Sequence, residues 1–150
     1  MQIHELGHVV LYVRNLARSA HFYRDVLGFR ALQTPAHLRG AVLAFSTGRT
    51  HHELLLIEVG DDAPHPGNGH RAGLYHLGLK VGDRDEELVA AWQQLEQAGV
   101  TVAGSADHTV THSLYLADPD GNEIELYVDV AGADWSDMAQ VLAKTRPLQL

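Results

Sequence analysis

Three side chains of this 150-residue sequence could together hold a metal: His8, His76 and Glu125. Two imidazoles and one carboxylate form a facial triad, a donor set that suits Fe(II) and leaves coordination positions open for a substrate and for dioxygen. A lone histidine in a strand is ordinarily a satisfied core or surface residue. His8 and His76 differ because each stands near the start of the first strand in one of two similar halves of the chain. Glu125 lies in an otherwise apolar strand end, where burying an unpaired carboxylate costs several kcal/mol and a bound cation removes that cost.

The elements that must position these groups follow one order, used twice. Gly7–Val13 has the apolar run of a buried strand. Asn15 offers a helix cap, and Leu16, Ala20, Tyr23 and Leu27 line one helical face up to Gly28, a left-handed stop. Three strand-like pieces come next, Phe29–Thr34, Ala41–Ser46 and Glu53–Val59. The second half repeats the order with Tyr75–Val81 and a cap at Asp83 or Asp85. The stripe is Leu88, Ala91, Trp92 and Leu95, the stop is Gly99, and the strands are Val100–Ala103, His112–Ala117 and Glu123–Val128. The pairs His8/His76, Gly28/Gly99 and Glu53/Glu125 are offset by 68, 71 and 72 residues, so the copies differ by only a few insertions.

The expected fold class is therefore α+β, two βαβββ modules whose polar sheet faces would line a concave metal site. The modules span about residues 1–60 and 74–130 of one domain over 1–130, with Gly60–Gly73 as a linker and 131–150 as a tail carrying a helix around Trp135–Lys144. Side chains alternate along strands. On that basis His8, Val10 and Tyr12 share a face, as do His76, Gly78 and Lys80, and Glu123, Glu125 and Tyr127. The opposite faces are apolar and suit packing against a helix.

Composition narrows the function. Eleven Lys+Arg against nineteen Asp+Glu give a formal charge of -8, which argues against nucleic acid and anionic membranes as partners. The absence of cysteine excludes disulfides, thiolate nucleophiles and zinc–thiolate sites. No apolar run reaches the ~18–20 residues that span a bilayer, and MQIHELGHVVLYV lacks the pattern of a signal peptide, so a cytoplasmic protein is expected. Of the eleven histidines, His21, His51, His65 and His70 read as solvent-exposed.

DPDGNEIELY, from Asp118 to Tyr127, closely resembles the last hairpin of the vicinal oxygen chelate superfamily, which includes glyoxalase I, extradiol dioxygenases and antibiotic-resistance proteins. GHVVLYVRNLARSAHFYRDVLGF, from Gly7 to Phe29, is similar to the opening of the same module, and the resemblance runs nearly to Val130. It implies paired βαβββ modules around a metal, with His8, His76 and Glu125 on the ligand positions.

Within that superfamily the chain looks most like the extradiol ring-cleaving dioxygenases. RTHHELLL, from Arg49 to Leu56, matches their fourth-strand histidine pair, whose second member, here His52, is the acid/base residue. Tyr115 stands ten residues before Glu125, as the resemblance requires, and His108 occupies the loop before that tyrosine at a shorter spacing than the family's. The implied activity is cleavage of a small aromatic diol by dioxygen with Fe(II), alternatively Mn(II). An imidazole would take a catechol proton and return it later, while Tyr115 would hydrogen-bond substrate oxygens. A homodimer or higher homo-oligomer is expected, since sheet edges offer pairing surfaces. The rival is a glyoxalase-I-like lyase or related isomerase or epimerase using Ni(II) or Zn(II), with Glu53 as a fourth ligand. As strand neighbours, only one of His52 and Glu53 could face the site. A third class is a non-catalytic small-molecule-binding protein of the resistance type.

Overall fold

The computed structural model describes residues 1–66 and 72–150; residues 67–71, the middle of the expected linker and including His70, lie outside the described residues. The chain divides into two compact units, Met1–Gly67 and Asn68–Leu150, each built on one βαβββ module. The fold is α+β, with one four-stranded mixed sheet per unit.

In the first unit β1 (Val9–Val13) leads to α1 (Leu16–His21), which continues into a π-helical turn at Phe22–Val26. β2 (Arg30–Ala31), β3 (Val42–Ser46) and β4 (Leu54–Glu58) follow. The sheet order is β1-β4-β3-β2, with β1 parallel to β4 and the other pairs antiparallel. Asn15 caps α1 by accepting the Arg18 N–H at 3.0 Å, and Glu58 Oε2 accepts the Leu16 N–H at 2.6 Å, which ties the helix start to the end of β4. Leu16, Ala20 and Tyr23 are buried as their spacing predicts, and Tyr23 packs against Phe22, Phe29 and Phe45. Each fully buried side chain of this size contributes about 1.5–3 kcal/mol, so this cluster is a main anchor of the unit.

Two expectations shorten here. β2 is confined to Arg30–Ala31 because the chain leaves the sheet after Leu32 and enters a 3-10 turn at Ala36–Leu38 behind Pro35, which has no N–H to offer a ladder. β4 begins at Leu54, so His52 and Glu53 precede the strand and its alternation does not govern them.

In the second unit β5 (His76–Gly82), α2 (Asp85–Gln97), β6 (Val102–Asp107), β7 (Thr111–Ala117) and β8 (Glu123–Asp129) form a sheet of order β5-β8-β7-β6, with β5 parallel to β8. β8 shows the clearest alternation: Ile124, Leu126 and Val128 are buried while Glu123, Glu125 and Tyr127 are half-buried. α2 packs on β5, β7 and β8 through Leu88 and Leu95, with Ala91 and Trp92 half-buried beside them.

Neither Asp83 nor Asp85 caps α2. Arg84 holds the cap position, and Glu87 reaches back so that its Oε2 accepts the Asp83 N–H at 2.8 Å. This is the reciprocal half of a capping box, moved one residue outward. It requires Gly82, since a Cβ there would collide with the Glu87 carboxylate. The helix expected around Trp135–Lys144 is the single turn α3 (Met138–Val141), capped by Asp137. Beyond it the tail returns to β6, where Asp107 and Arg146 form an antiparallel bridge.

Candidate functional site

Four of the expected residues lie in the second unit, and the sheet brings them together. Parallel pairing of β5 with β8 sets His76 opposite Glu123 and Gly78 opposite Glu125; antiparallel pairing of β7 with β8 sets Tyr115 opposite Glu125. His76 Nε2 lies 3.1 Å from Glu125 Oε2. Two donors on one ion, each bonded at about 2.0–2.2 Å and roughly at right angles, stand about 3 Å apart. The pair therefore fits a shared cation. On the other side of the ring, His76 Nδ1 and Glu123 Oε1 are 3.5 Å apart, both buried and with no closer partner. A carboxylate at that position turns the Nε2 lone pair of a ligating histidine outward. Gly78 lies beside Glu125, where a Cβ would be in ordinary contact with Tyr127 and with Glu125 Oε2, at 3.5 and 3.6 Å.

The Tyr115 hydroxyl donates to Glu125 Oε1 at 2.9 Å, and His108 Nε2 lies 2.6 Å from that hydroxyl. Burial first, then the bond to the Glu125 carboxylate and its charge, pushes the Tyr115 phenol above its ordinary value. It is consequently a fixed donor at neutral pH. Tyr75, its ring tilted against that of His76 with centroids 4.8 Å apart, is raised as well, chiefly by the charge of Glu123. The shortened His108–Tyr115 spacing does not prevent contact, because the β6–β7 turn folds the loop histidine back over its strand.

The first unit holds the other candidates. His8 sits one residue before β1, exposed, with its ring 4.5 Å from that of His52 and 5.7 Å from that of His51. His51 and His52 face each other through Nδ1 atoms 2.7 Å apart, so one must donate to the other. Burial, then His51 and His8, lowers the His52 pKa and favours the neutral ring. Glu53 is committed elsewhere. Its two oxygens accept the Thr47 and Thr50 N–H groups, each at 2.7 Å, and Arg49 lies 3.9 Å away. Burial opposes its charge, but those two backbone bonds, Ser46 and Arg49 outweigh it and hold the carboxyl below its usual range. Its role is to close the 47–50 turn. His21, His51 and His65 are exposed, as expected.

Among the described residues no group of three or more His, Asp or Glu side chains is gathered so as to hold an ion. The pair His76/Glu125 belongs to one unit and His8 to the other. Glu123 was not singled out by the sequence, although its position two residues before Glu125 on the same face was a usable signal.

A family model described as Glyoxalase/Bleomycin resistance protein/Dioxygenase superfamily matches residues 5–126. The chain belongs to this superfamily. Among curated relatives of this superfamily member, a catechol-2,3-dioxygenase of Bacillus subtilis is 38% identical over 136 residues, covering 89% of this chain and 45% of the relative. A biphenyl-2,3-diol 1,2-dioxygenase of Rhodococcus globerulus is 31% identical over 133 residues, covering 83% of this chain and 63% of the relative. The chain thus spans about half to two thirds of the length of these relatives. Among solved structures, a glyoxalase/dioxygenase from Nostoc punctiforme superposes with a TM-score of 0.72 at 23% identity, over 84% of this chain and 91% of that one. That likeness concerns the fold. No helix among the described residues is long and apolar enough to cross a membrane.

Proposed function

We propose that the chain is a metal-dependent extradiol dioxygenase that opens a catechol-type aromatic diol with dioxygen. His8, His76 and Glu125 are its ligands for Fe(II), alternatively Mn(II), and His52, Tyr115 and His108 serve the substrate. The observation that carries this reading is the run His108–Tyr115–Glu125 beside His76, with contacts of 2.6, 2.9 and 3.1 Å. Two dioxygenases among the relatives, named for catechol and biphenyl-diol substrates, support the substrate class.

An ion held by His8, His76 and Glu125 would supply open coordination positions for the diol and for dioxygen. The chain's own groups do the rest. Glu123 Oε1, 3.5 Å from His76 Nδ1, is placed to accept from that nitrogen when Nε2 ligates a metal, and the Tyr115 O–H holds Glu125 Oε1 in place. The His52 imidazole takes one hydroxyl proton and later returns it, while for Tyr115 or His108 to donate to a diol oxygen the diol must displace the bond each makes here, Tyr115 to Glu125 and His108 to Tyr115.

A glyoxalase-like lyase would need the Glu53 carboxylate as a ligand, and that carboxylate is spent on the 47–50 turn. A purely binding protein has no use for a ligand pair with a supporting carboxylate. The deciding experiment loads the purified chain anaerobically with Fe(II), confirms bound metal, and adds catechol and air. Oxygen uptake matched by ring-opened product is expected; full iron occupancy without either would end this reading. We also propose a homodimer or higher oligomer in solution, for which light scattering at micromolar concentration should give at least twice the chain mass; a clean monomer would refute it.

A further inference from the structure

The β6–β7 turn and the C-terminal tail meet at His108. Asp107 and Arg146 exchange two backbone hydrogen bonds, each 2.9 Å, and Arg146 Nη2 reaches Asp107 Oδ2 at 2.9 Å. The other Asp107 oxygen accepts the Thr109 N–H at 2.6 Å. Thr109 has φ of +74°, a left-handed conformation that is strained for a β-branched residue and persists only where its surroundings impose it. Asp107 imposes it here, and Arg146 holds Asp107. The turn that presents His108 is therefore braced from the tail.

The same tail segment touches the imidazole. Thr145 Oγ1 lies 3.4 Å from His108 Nδ1, on the side of the ring away from Tyr115. The protons can be assigned by elimination. A Glu125 carboxylate only accepts, so the single Tyr115 hydrogen goes to Glu125. The Tyr115 oxygen must then accept from His108, which makes Nε2 a protonated nitrogen, and in the neutral ring Nδ1 is then the lone pair. The Thr145 hydroxyl is the donor that faces this lone pair.

We propose that Thr145 and Arg146 are positioning residues: the tail braces the β6–β7 turn and fixes His108 as the Nε2–H tautomer that donates toward Tyr115. For catalysis this rests on the dioxygenase reading; for the state of the ring it does not.

The test uses the full chain labelled with ¹⁵N-histidine, together with Thr145→Val, Thr145→Ser and Arg146→Ala. Long-range ¹H–¹⁵N spectra of the wild-type chain should show His108 protonated at Nε2 with a hydrogen-bonded Nδ1. Thr145→Val should shift the Nδ1 resonance and admit the other tautomer, Thr145→Ser should restore the wild-type pattern, and Arg146→Ala should broaden it. With Fe(II) and catechol, kcat should fall about tenfold in Thr145→Val and Arg146→Ala, with KM nearly unchanged and Thr145→Ser close to wild type. A His108 protonated at Nδ1 in the wild type, or a spectrum unmoved by Thr145→Val, overturns the proposal even if ring cleavage is found. Absence of ring cleavage with the expected spectra would overturn the dioxygenase reading and leave the tail's hold on His108 standing.

Discussion

Tyr115→Phe removes one oxygen and, with it, two hydrogen bonds of the second unit. The phenyl ring keeps its place on β7 opposite Glu125, so packing changes little. What is lost is the 2.9 Å bond to Glu125 Oε1 and the 2.6 Å contact with His108 Nε2. A hydrogen bond to a charged group is worth about 1.5–3 kcal/mol and a neutral one about 0.5–1.5 kcal/mol. The Glu125 and His108 side chains remain 14% and 29% exposed, so water can reach the freed groups and recover part of this. A net destabilisation of about 1–2.5 kcal/mol results, larger than the typical change from a surface substitution. Urea unfolding followed by fluorescence should show the midpoint falling with the slope unchanged. Because the two bonds share one hydroxyl, His108→Ala should cost much less in the Tyr115→Phe background than alone, with a coupling of about 0.5–1.5 kcal/mol in a double-mutant cycle. Additive effects, or a Tyr115→Phe midpoint equal to wild type, would refute the network as drawn.

Other consequences can be checked separately. His8→Ala, His76→Ala and Glu125→Ala should each abolish stoichiometric Fe(II) or Mn(II) binding by elemental analysis, and a variant that keeps full occupancy would remove that residue from the ligand set. Chelation should leave the chain folded by circular dichroism, since the cores under α1 and α2 are built of apolar side chains; complete unfolding would show that the metal is structural. His52→Asn should leave iron bound and slow ring cleavage by about two to four powers of ten, whereas Glu53→Gln should spare iron binding and loosen the 47–50 turn; iron loss in Glu53→Gln would restore the lyase reading. Asp107 sits below its ordinary value because of the Thr109 N–H and Arg146, against the opposing effect of burial, with His112 also facing it. Its contribution is thus complete above the unfolded carboxyl range and lost as pH falls through the lower folded value. Hydrogen exchange at the Asp107 and Arg146 amides, corrected for intrinsic rates, should stay protected through mildly acidic pH and open only below about 4; loss of protection near pH 6 would contradict this.

Much of the architecture was legible because it depends on local periodicity. Strand alternation in Glu123–Asp129, the apolar stripe of Leu88 and Leu95, and the stops at Gly28 and Gly99 are properties of short windows, and the structure keeps them. The doubled pattern likewise needed only spacing. The cap of α2 was misplaced because both candidate carboxylates are engaged elsewhere, Asp83 with Lys80 and Asp85 with His112, and only the fold brings His112 to Asp85.

The candidate site divides along the same line. Residue types and matched positions in the two halves were enough to nominate His8, His76 and Glu125, since ligand chemistry limits which side chains can serve. The choice between His52 and Glu53 was closed to sequence reasoning, because strand alternation was the wrong rule for residues that precede the strand. Only the folded 47–50 turn, with two N–H groups converging on one carboxylate, decides that Glu53 is spent locally. The link from Thr145 to His108 spans 37 residues and is made by a tail of no marked periodicity. Such contacts are invisible to pattern because they arise from where the backbone ends up, and a hydroxyl and an imidazole carry no signal of each other until the fold brings them together.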